Sequence, residues 1–392
     1  MKTFNTLINL ILLIFSLSCS KLTSHVSSDF DHGSIGDLKE IKPGYFQGKT
    51  RHWLKRDSIG NQYYWFYFKA DRVRDKTITF ELNDLEGVYR HNPHIVYTDY
   101  TQPVYSYDQE SWERISDVKY DSATRNFWFT HKFNQEPVWI AYAHPYSYLR
   151  LKDFHDSLKN NEYVQVEEVT KTKEGRPIKM LTITDHQVAD SGKKTIFLMA
   201  MQHAGEDAGS FLLEGLVNYL ISEDEAAKTA RAKFVYKVII MMNPDGVFNG
   251  TSRYNMEMED LNNIWLNEQK MQPEVQGVQG WVEAWYAEGN KIDMFLDIHN
   301  HTQFYRYNVF IFKDHEIDSL VPDMNEYWPS RIWHSEFEGS SCAYFYQKGI
   351  PCGSVELSQS FIEEGKYLTI EDYHQYGEGV VRGFIDYFNK GK

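Results

Sequence analysis

Two rhythms of apolar and polar positions divide the chain. From about residue 28 to 145, short runs rich in aromatic and β-branched residues carry period-two character: YYWFYFK at 63–69, TITFEL at 77–82, and the segments 126–132 and 138–144. Breaks such as Asn92-Pro93 separate them, and no long helical period intervenes. This half reads as an antiparallel β-sandwich. Its aromatic residues fit a sheet core better than a sugar-binding face, because aromatics mostly pack inside.

After Pro145 the apolar runs become too uniform for half-exposed strands. They predict strands at 195–201 (TIFLMAM), 234–242, 292–298, 308–312 and 353–357. The stripe Phe211, Leu212, Leu216 and Tyr219 predicts a helix over 206–220, and a second helix closes the chain over 370–388. Asn243-Pro244-Asp245-Gly246 predicts a tight turn. Strands buried on both faces, with helices between them, imply an α/β sheet. Ligands of such sheets bind at the strand ends.

Composition supports two domains, since 392 residues exceed the roughly 150 of a typical single domain. With 42% apolar and 24% charged residues, a packed core is expected and wholesale disorder is not. Lys and Arg number 41 against 55 Asp and Glu, a formal charge of −14, and no Lys/Arg-rich stretch stands out. Nucleic acid is not an expected partner. Three cysteines, Cys19, Cys342 and Cys352, are too few for a disulfide framework or an all-cysteine zinc site.

The opening MKTFNTLINLILLIFSLSCS carries one lysine, then an apolar run, then small residues before Cys19, the pattern of a signal peptide over 1–18. The run is shorter than the ~20 residues of a spanning helix, and no later segment approaches that length. Ser18-Cys19 resembles a lipoprotein cleavage site, with Ser16 where that motif usually has leucine. The expectation is an exported chain, periplasmic or on the outer membrane, held by lipid on Cys19, with plain secretion as the alternative. Residues 19–40 then form a linker, 41–145 the β-sandwich and 146–392 the second domain.

Candidate chemistry sits at the predicted strand ends. His203 and Glu206 stand three apart where strand 195–201 gives way to a helix, so an imidazole and a carboxylate can share one metal ion and leave a coordination position open. A third ligand can come from strand 292–298, which runs into Asp297-Ile298-His299-Asn300-His301. His299 and His301 face the same side, and strand geometry alone does not choose between them. Glu356 interrupts the buried run 353–357, and a carboxylate there is costly unless something uses it. A base beside a metal-activated water is one such use, and a salt bridge is the other.

In this order His203-x-x-Glu206, Asn243-Pro244-Asp245-Gly246-Val247, Arg253, Asp260-Leu261-Asn262, Asp297-Ile298-His299 and Val355-Glu356 resemble the zinc carboxypeptidases of the carboxypeptidase A superfamily. The cytosolic carboxypeptidase-like branch is the nearer likeness. Trp139 to Tyr148 (WIAYAHPYSY) resembles its domain junction, and Tyr373-His374-Gln375-Tyr376-Gly377 its C-terminal helix. The resemblance covers about residues 40–390 and implies an α/β fold with a mixed, mostly parallel sheet flanked by helices, behind the antiparallel β-sandwich. It implies that His203, Glu206 and His299 bind one zinc ion, that Glu356 is general base and then proton donor, and that Arg253 stabilises the oxyanion. It further implies that Asp260 orients His203 and that Asn262 and Asn263 contact substrate.

Two departures stand out. The family pattern is Asp-x-Asn-Arg, the Asn-Arg pair gripping the substrate's terminal carboxylate, whereas this chain has Asn263 in the arginine position. Exchanging a bidentate cation for a neutral amide costs about 2–4 kcal/mol of carboxylate binding. In the stretch 339–346 the glutamate-removing relatives tend to carry an arginine, where this chain has Cys342 and Ala343. Removal of glutamate tails is therefore not expected. Tyr344 and Tyr346 fit core packing better than the cleft, and Cys342 and Cys352, both read as strand residues, are either paired or free and buried. The expected function is a zinc metallocarboxypeptidase acting on peptides. The alternative is a zinc amidohydrolase or esterase acting on a non-peptide or modified-peptide substrate.

Overall fold

The computed structural model describes residues 25–391 apart from 54–59, 62, 86, 90–91, 95, 302–305, 314, 326 and 363–364. The expected signal peptide and Cys19 lie outside the described residues. No helix among them is long and apolar enough to cross a membrane.

The N-terminal half holds two five-stranded sheets, predominantly antiparallel. One joins His25–Ser27, Tyr67–Asp71, Val138–Ala141, Val104–Ser106 and Glu113–Arg114. The other joins Asp117–Asp121, Asn126–Phe133, Lys76–Leu82, Tyr45–Gly48 and Lys39–Lys42. Alternate residues of each sheet meet in one aromatic core. The rings of Phe66 and Phe129 stack at 5.7 Å, and Phe68 meets Phe80 edge-on at 5.2 Å. Each such phenylalanine, removed from water, contributes about 1.5–3 kcal/mol. Two predicted strands are shorter than their apolar runs. The first begins at Tyr67 rather than 63, and the last stops at Ala141 rather than 144. Tyr64 and Trp65 leave the ladder because their polar atoms bond the other half of the chain, as described below.

The C-terminal half is built on an eight-stranded sheet. Labelled in chain order, its main elements are β1 (Val164–Lys171), β2 (Pro177–Ile183), β3 (Lys194–Ala200), α1 (Asp207–Leu220), β4 (Phe234–Ile239), α2 (Pro273–Ala287), β5 (Met294–His301), β6 (Asn308–Phe312), β7 (Ser330–His334), α3 (Ser341–Gln347), β8 (Cys352–Ser358) and α4 (Ile370–Asn389). The sheet order is β1-β2-β4-β3-β5-β8-β6-β7. The central strands β4, β3, β5 and β8 all run parallel; β2 runs against β4 and β1 against β2, while β6 runs against β8 and β7 runs with β6. One face of the sheet carries α1 and α4, the other α2 and α3. Helices α1 and α4 pack almost backbone to backbone. A Cβ on Gly215 would lie 2.3 Å from the His374 Cα, and one on Gly377 2.3 Å from the Leu212 carbonyl oxygen.

The predicted turn at 243–246 is instead the start of a short helix, Pro244–Phe248. The Asn243 side chain accepts a hydrogen bond from the Gly246 N–H, and Pro244 occupies the first turn, where its missing N–H costs nothing. Cys342, expected in a strand, lies in α3, whose N-terminus is capped by Ser340. Both Cys342 and Cys352 are free and buried, with Cys352 Sγ 3.2 Å from the Cys342 carbonyl oxygen. Tyr344 packs in the core behind the sheet and Tyr346 lies half-buried against it.

The two halves interlock. His32, fully buried, bonds Asp207 Oδ1 at 3.1 Å through Nε2 and the Val247 carbonyl at 2.9 Å through Nδ1. The Tyr64 hydroxyl donates to the Ser252 carbonyl at 3.1 Å, and the Trp65 N–H donates to Ser252 Oγ at 3.1 Å. These contacts grip the start of α1 and the segment that leads to Arg253.

Candidate active site

Chain geometry at the end of β3 explains how His203 and Glu206 come together. Met201 takes a left-handed backbone conformation (φ 59°), turning the chain sharply off the strand. The Gly205 N–H then donates to the Ser252 carbonyl at 2.9 Å, and Glu206 stands at the N-terminal boundary of α1. His299 arrives on β5, the strand parallel to and beside β3.

These three residues converge. Glu206 Oε1 is 2.7 Å from His203 Nδ1, and Glu206 Oε2 is 2.8 Å from His299 Nδ1. One donor atom from each lies within 4.8 Å of the others, and all three side chains are buried. His301 is not part of the cluster. Its Nε2 bonds the Tyr307 carbonyl at 2.8 Å.

The outer nitrogen of each imidazole meets a second carboxylate. His203 Nε2 is 3.1 Å from Asp260 Oδ1, and His299 Nε2 is 2.9 Å from Asp297 Oδ2. Each carboxylate fixes a ring so that Nδ1 faces inward, the arrangement that makes histidine a good metal ligand. Burial alone would make Glu206 harder to ionise, but His203 and His299 outweigh it and hold the carboxyl well below its ordinary range. Burial likewise opposes charge on His299, yet Asp297 and Glu206 raise the ring well above its ordinary value. Two nitrogens and a carboxylate oxygen, each ring braced from behind, fit a zinc ion by donor type and number.

Asp260 also accepts from Arg253 Nε at 2.7 Å, from the Asn262 N–H at 3.1 Å and from Asn263 Nδ2 at 2.7 Å. Burial pushes Asp260 up, and the Arg253 guanidinium followed by His203 pulls it far down. So fixed, Arg253 points Nη1 toward the cluster, 3.4 Å from His203 Nδ1. Asn262 is committed inward as well. Its Oδ1 accepts from Gln202 Nε2 and the Ser341 N–H, both at 3.1 Å, and its Nδ2 is 3.2 Å from His299 Nε2.

Glu356 lies on β8, directly opposite His299 in the parallel β5–β8 ladder, so both side chains project to the same face. It is half-buried. Desolvation pushes its carboxyl up to about 7, a shift that His299 partly offsets and Glu206 reinforces.

Asp297, Gln202 and Ser341 received no role in the sequence reading. Asp297 Oδ2 accepts from Gln202 Nε2 at 2.6 Å and from Ser341 Oγ, besides facing His299, and Trp265 Nε1 holds Gln202 Oε1 at 2.8 Å. The signal for Asp297 was present, because an acid two positions before a histidine on a strand shares its face. Gln202 and Ser341 carried none.

Residues 26–143 match the cytosolic carboxypeptidase N-terminal domain, and residues 151–267 match the zinc carboxypeptidase domain. The chain thus carries a zinc carboxypeptidase domain behind a cytosolic carboxypeptidase N-terminal domain. The second match contains His203, Glu206, Arg253, Asp260, Asn262 and Asn263 and stops short of His299 and Glu356. Cytosolic carboxypeptidase 6 of Mus musculus is 25% identical over 405 residues, covering 93% of this chain and 73% of that protein. Cytosolic carboxypeptidase 4 of Mus musculus is 32% identical over 203 residues, 48% of this chain and 18% of its own length. The metallo-carboxypeptidase of Burkholderia cenocepacia shares the fold, with a TM-score of 0.80 at 21% identity over 94% of this chain and 100% of that one. A Pseudomonas aeruginosa metallo-carboxypeptidase superposes with a TM-score of 0.78 at 21% identity, again over 94% and 100%. The sequence-based fold therefore stands: a mixed, mostly parallel zinc carboxypeptidase sheet preceded by an antiparallel β-rich domain, in a metallocarboxypeptidase.

Proposed function

We propose that the chain hydrolyses the peptide bond next to the C-terminus of a peptide, with zinc held by His203, Glu206 and His299 and with Glu356 as general base. Zinc in that position supplies a Lewis acid that polarises the scissile carbonyl and acidifies water. Glu356 takes the proton from the attacking water and passes it to the leaving amine, a role suited to a carboxyl poised near neutrality. Arg253, braced by Asp260, offers permanent positive charge to the oxygen that becomes negative as the carbonyl is attacked. Asp260 and Asp297 keep the two imidazoles in the ligating orientation.

The observation that carries this reading is the convergence of His203, Glu206 and His299 with Glu356 in the adjacent ladder position. Its test is turnover of a mixed peptide library before and after chelation and zinc replacement, with Glu356→Gln beside the wild type. Zinc-dependent loss of single C-terminal residues, abolished by Glu356→Gln, is the expected result. Zinc-independent turnover, or full activity in Glu356→Gln, overturns it.

A second reading, hydrolysis of an amide or ester that lacks a free carboxylate, is favoured by Asn263. Its amide is neutral and already donates to Asp260. Matched peptides with free and amidated C-termini separate the two readings. Export and lipidation of Cys19 are also part of the proposal, and labelling of the chain by a fatty-acid probe in cells, abolished by Cys19→Ser, is the expected result.

A further inference from the structure

A second cluster of ligating side chains stands at the edge of the catalytic sheet. Strand β6 ends at Phe312, which pairs with His334, the last residue of β7, and the Ser335 N–H donates to the Phe312 carbonyl at 2.9 Å. Just past β6, a single helical turn, His315–Ile317, is followed by Asp318. Asp318 Oδ2 lies 2.9 Å from His315 Nδ1, and Asp318 Oδ1 lies 3.0 Å from His334 Nε2. The two imidazole rings are 4.0 Å apart between centroids, and one donor atom from each of the three residues lies within 4.8 Å of the others.

We propose that His315, Asp318 and His334 form a second divalent-metal site, of the zinc class, that ties β6 to β7. Zinc holds nitrogen and oxygen donors at about 2.0–2.2 Å in a tetrahedron, which sets neighbouring donors ~3.3 Å apart. The carboxylate-to-imidazole spacings need open by only a few tenths of an ångström. Two imidazoles and one carboxylate are also among the donor sets with which zinc sites leave a fourth position to water. Asp318 and His334 are anchored, at 27% and 34% side-chain exposure, whereas His315 is 82% exposed and can swing onto an ion.

This site is separate from the catalytic cluster. Strand β6 runs antiparallel to β8, pairing Val309 with Glu356 and Phe312 with Gly353. The chain therefore leaves β6 at the opposite end of the sheet from Glu356. An ion there cannot reach the scissile bond, and its effect is mechanical. It closes the chain between His315 and His334 and pins β7, a sheet-edge strand of five residues that pairs, among the described residues, with β6 alone. Closing such a loop removes freedom from the unfolded chain and slows local opening of the edge.

The test uses the whole protein, stripped with chelator and titrated with zinc alone, with bound metal counted by elemental analysis. Wild type is expected to saturate at two equivalents, His299→Ala at one, and the double variant His315→Ala, His334→Ala at one. In His299→Ala, added zinc should slow amide hydrogen exchange over Ser330–His334, and the added pair of substitutions should abolish that slowing. His315→Gln, at the most exposed position, serves as the control should the double variant fail to fold. Saturation of wild type at one equivalent with none in His299→Ala overturns the proposal, as does a well-folded double variant that still binds two. Because His299→Ala isolates the edge cluster, failure here leaves the reading of the catalytic cluster unaffected.

Discussion

Replacing Asp297 by asparagine separates the charge behind His299 from its shape. Asp297 Oδ2 faces three donors, His299 Nε2, Gln202 Nε2 and Ser341 Oγ, while its buried Oδ1 has no partner among the described residues. An asparagine can keep its oxygen toward the three donors and place its amino group where Oδ1 stands, so the ring position is retained and the negative charge is lost. Loss of a carboxylate behind a metal-bound histidine lowers metal affinity about 10- to 100-fold, or 1.4–2.7 kcal/mol. The amino group, buried without an acceptor, costs about 1–3 kcal/mol of folding stability. Competition for zinc against a chromophoric chelator reads the first quantity, and thermal unfolding of the stripped protein reads the second. Asp297→Ala, which strands all three donors, should lose more of both. A zinc affinity for Asp297→Asn within about twofold of wild type would show that the charge does not support the ligand, and the account of His299 would fail.

Glu356→Gln should lower kcat by about 10²- to 10⁴-fold with zinc stoichiometry unchanged, measured on the best library substrate. In wild type the base works deprotonated and its carboxyl is raised to about 7, so kcat/KM should climb with pH on the acid side and level off; zinc nearby favours the carboxylate and sets the midpoint at or below 7. A flat profile between pH 5 and 8 contradicts that assignment. Asn263→Arg should raise the preference for free over amidated C-termini by about 2 kcal/mol, some thirtyfold, read as a ratio of kcat/KM values. Gly215→Ala should destabilise the protein by about 1–3 kcal/mol in denaturant unfolding, because the new methyl meets the His374 backbone.

What the sequence conveyed follows from how much each environment constrains its residues. The central strands were legible because burial on both faces leaves an uninterrupted apolar run, as in IFLMA of β3. His203, Glu206, His299 and Glu356 stood out because polar groups at the ends of such runs, or inside them, are costly without a partner. Strands β1 and β7 gave no signal. Exposed residues dominate VQVEEVTK, and SRIWH lacks the alternation of a strand with one covered face. Helix α2, PEVQGVQGWVEAWYA, carries two glycines that weaken a helical reading. Cys342 reads as a strand residue because β-prone aromatics follow it, whereas the cap at Ser340 starts a helix there. Gln202 and Ser341 are polar residues whose partners come from distant segments, and no local pattern announces such bonds.

His299 and Glu356 occupy facing rungs of two adjacent strands. Their spacing is thus inherited from the interval between neighbouring strands, ~4.8 Å, and not from any loop. The sheet acts as a gauge: surrounding loops can be lengthened, shortened or exchanged to admit other substrates while ligand and base stay at a set separation. A slip of β8 by a single rung, by contrast, would carry Glu356 to the far side of the sheet, away from the other reacting groups.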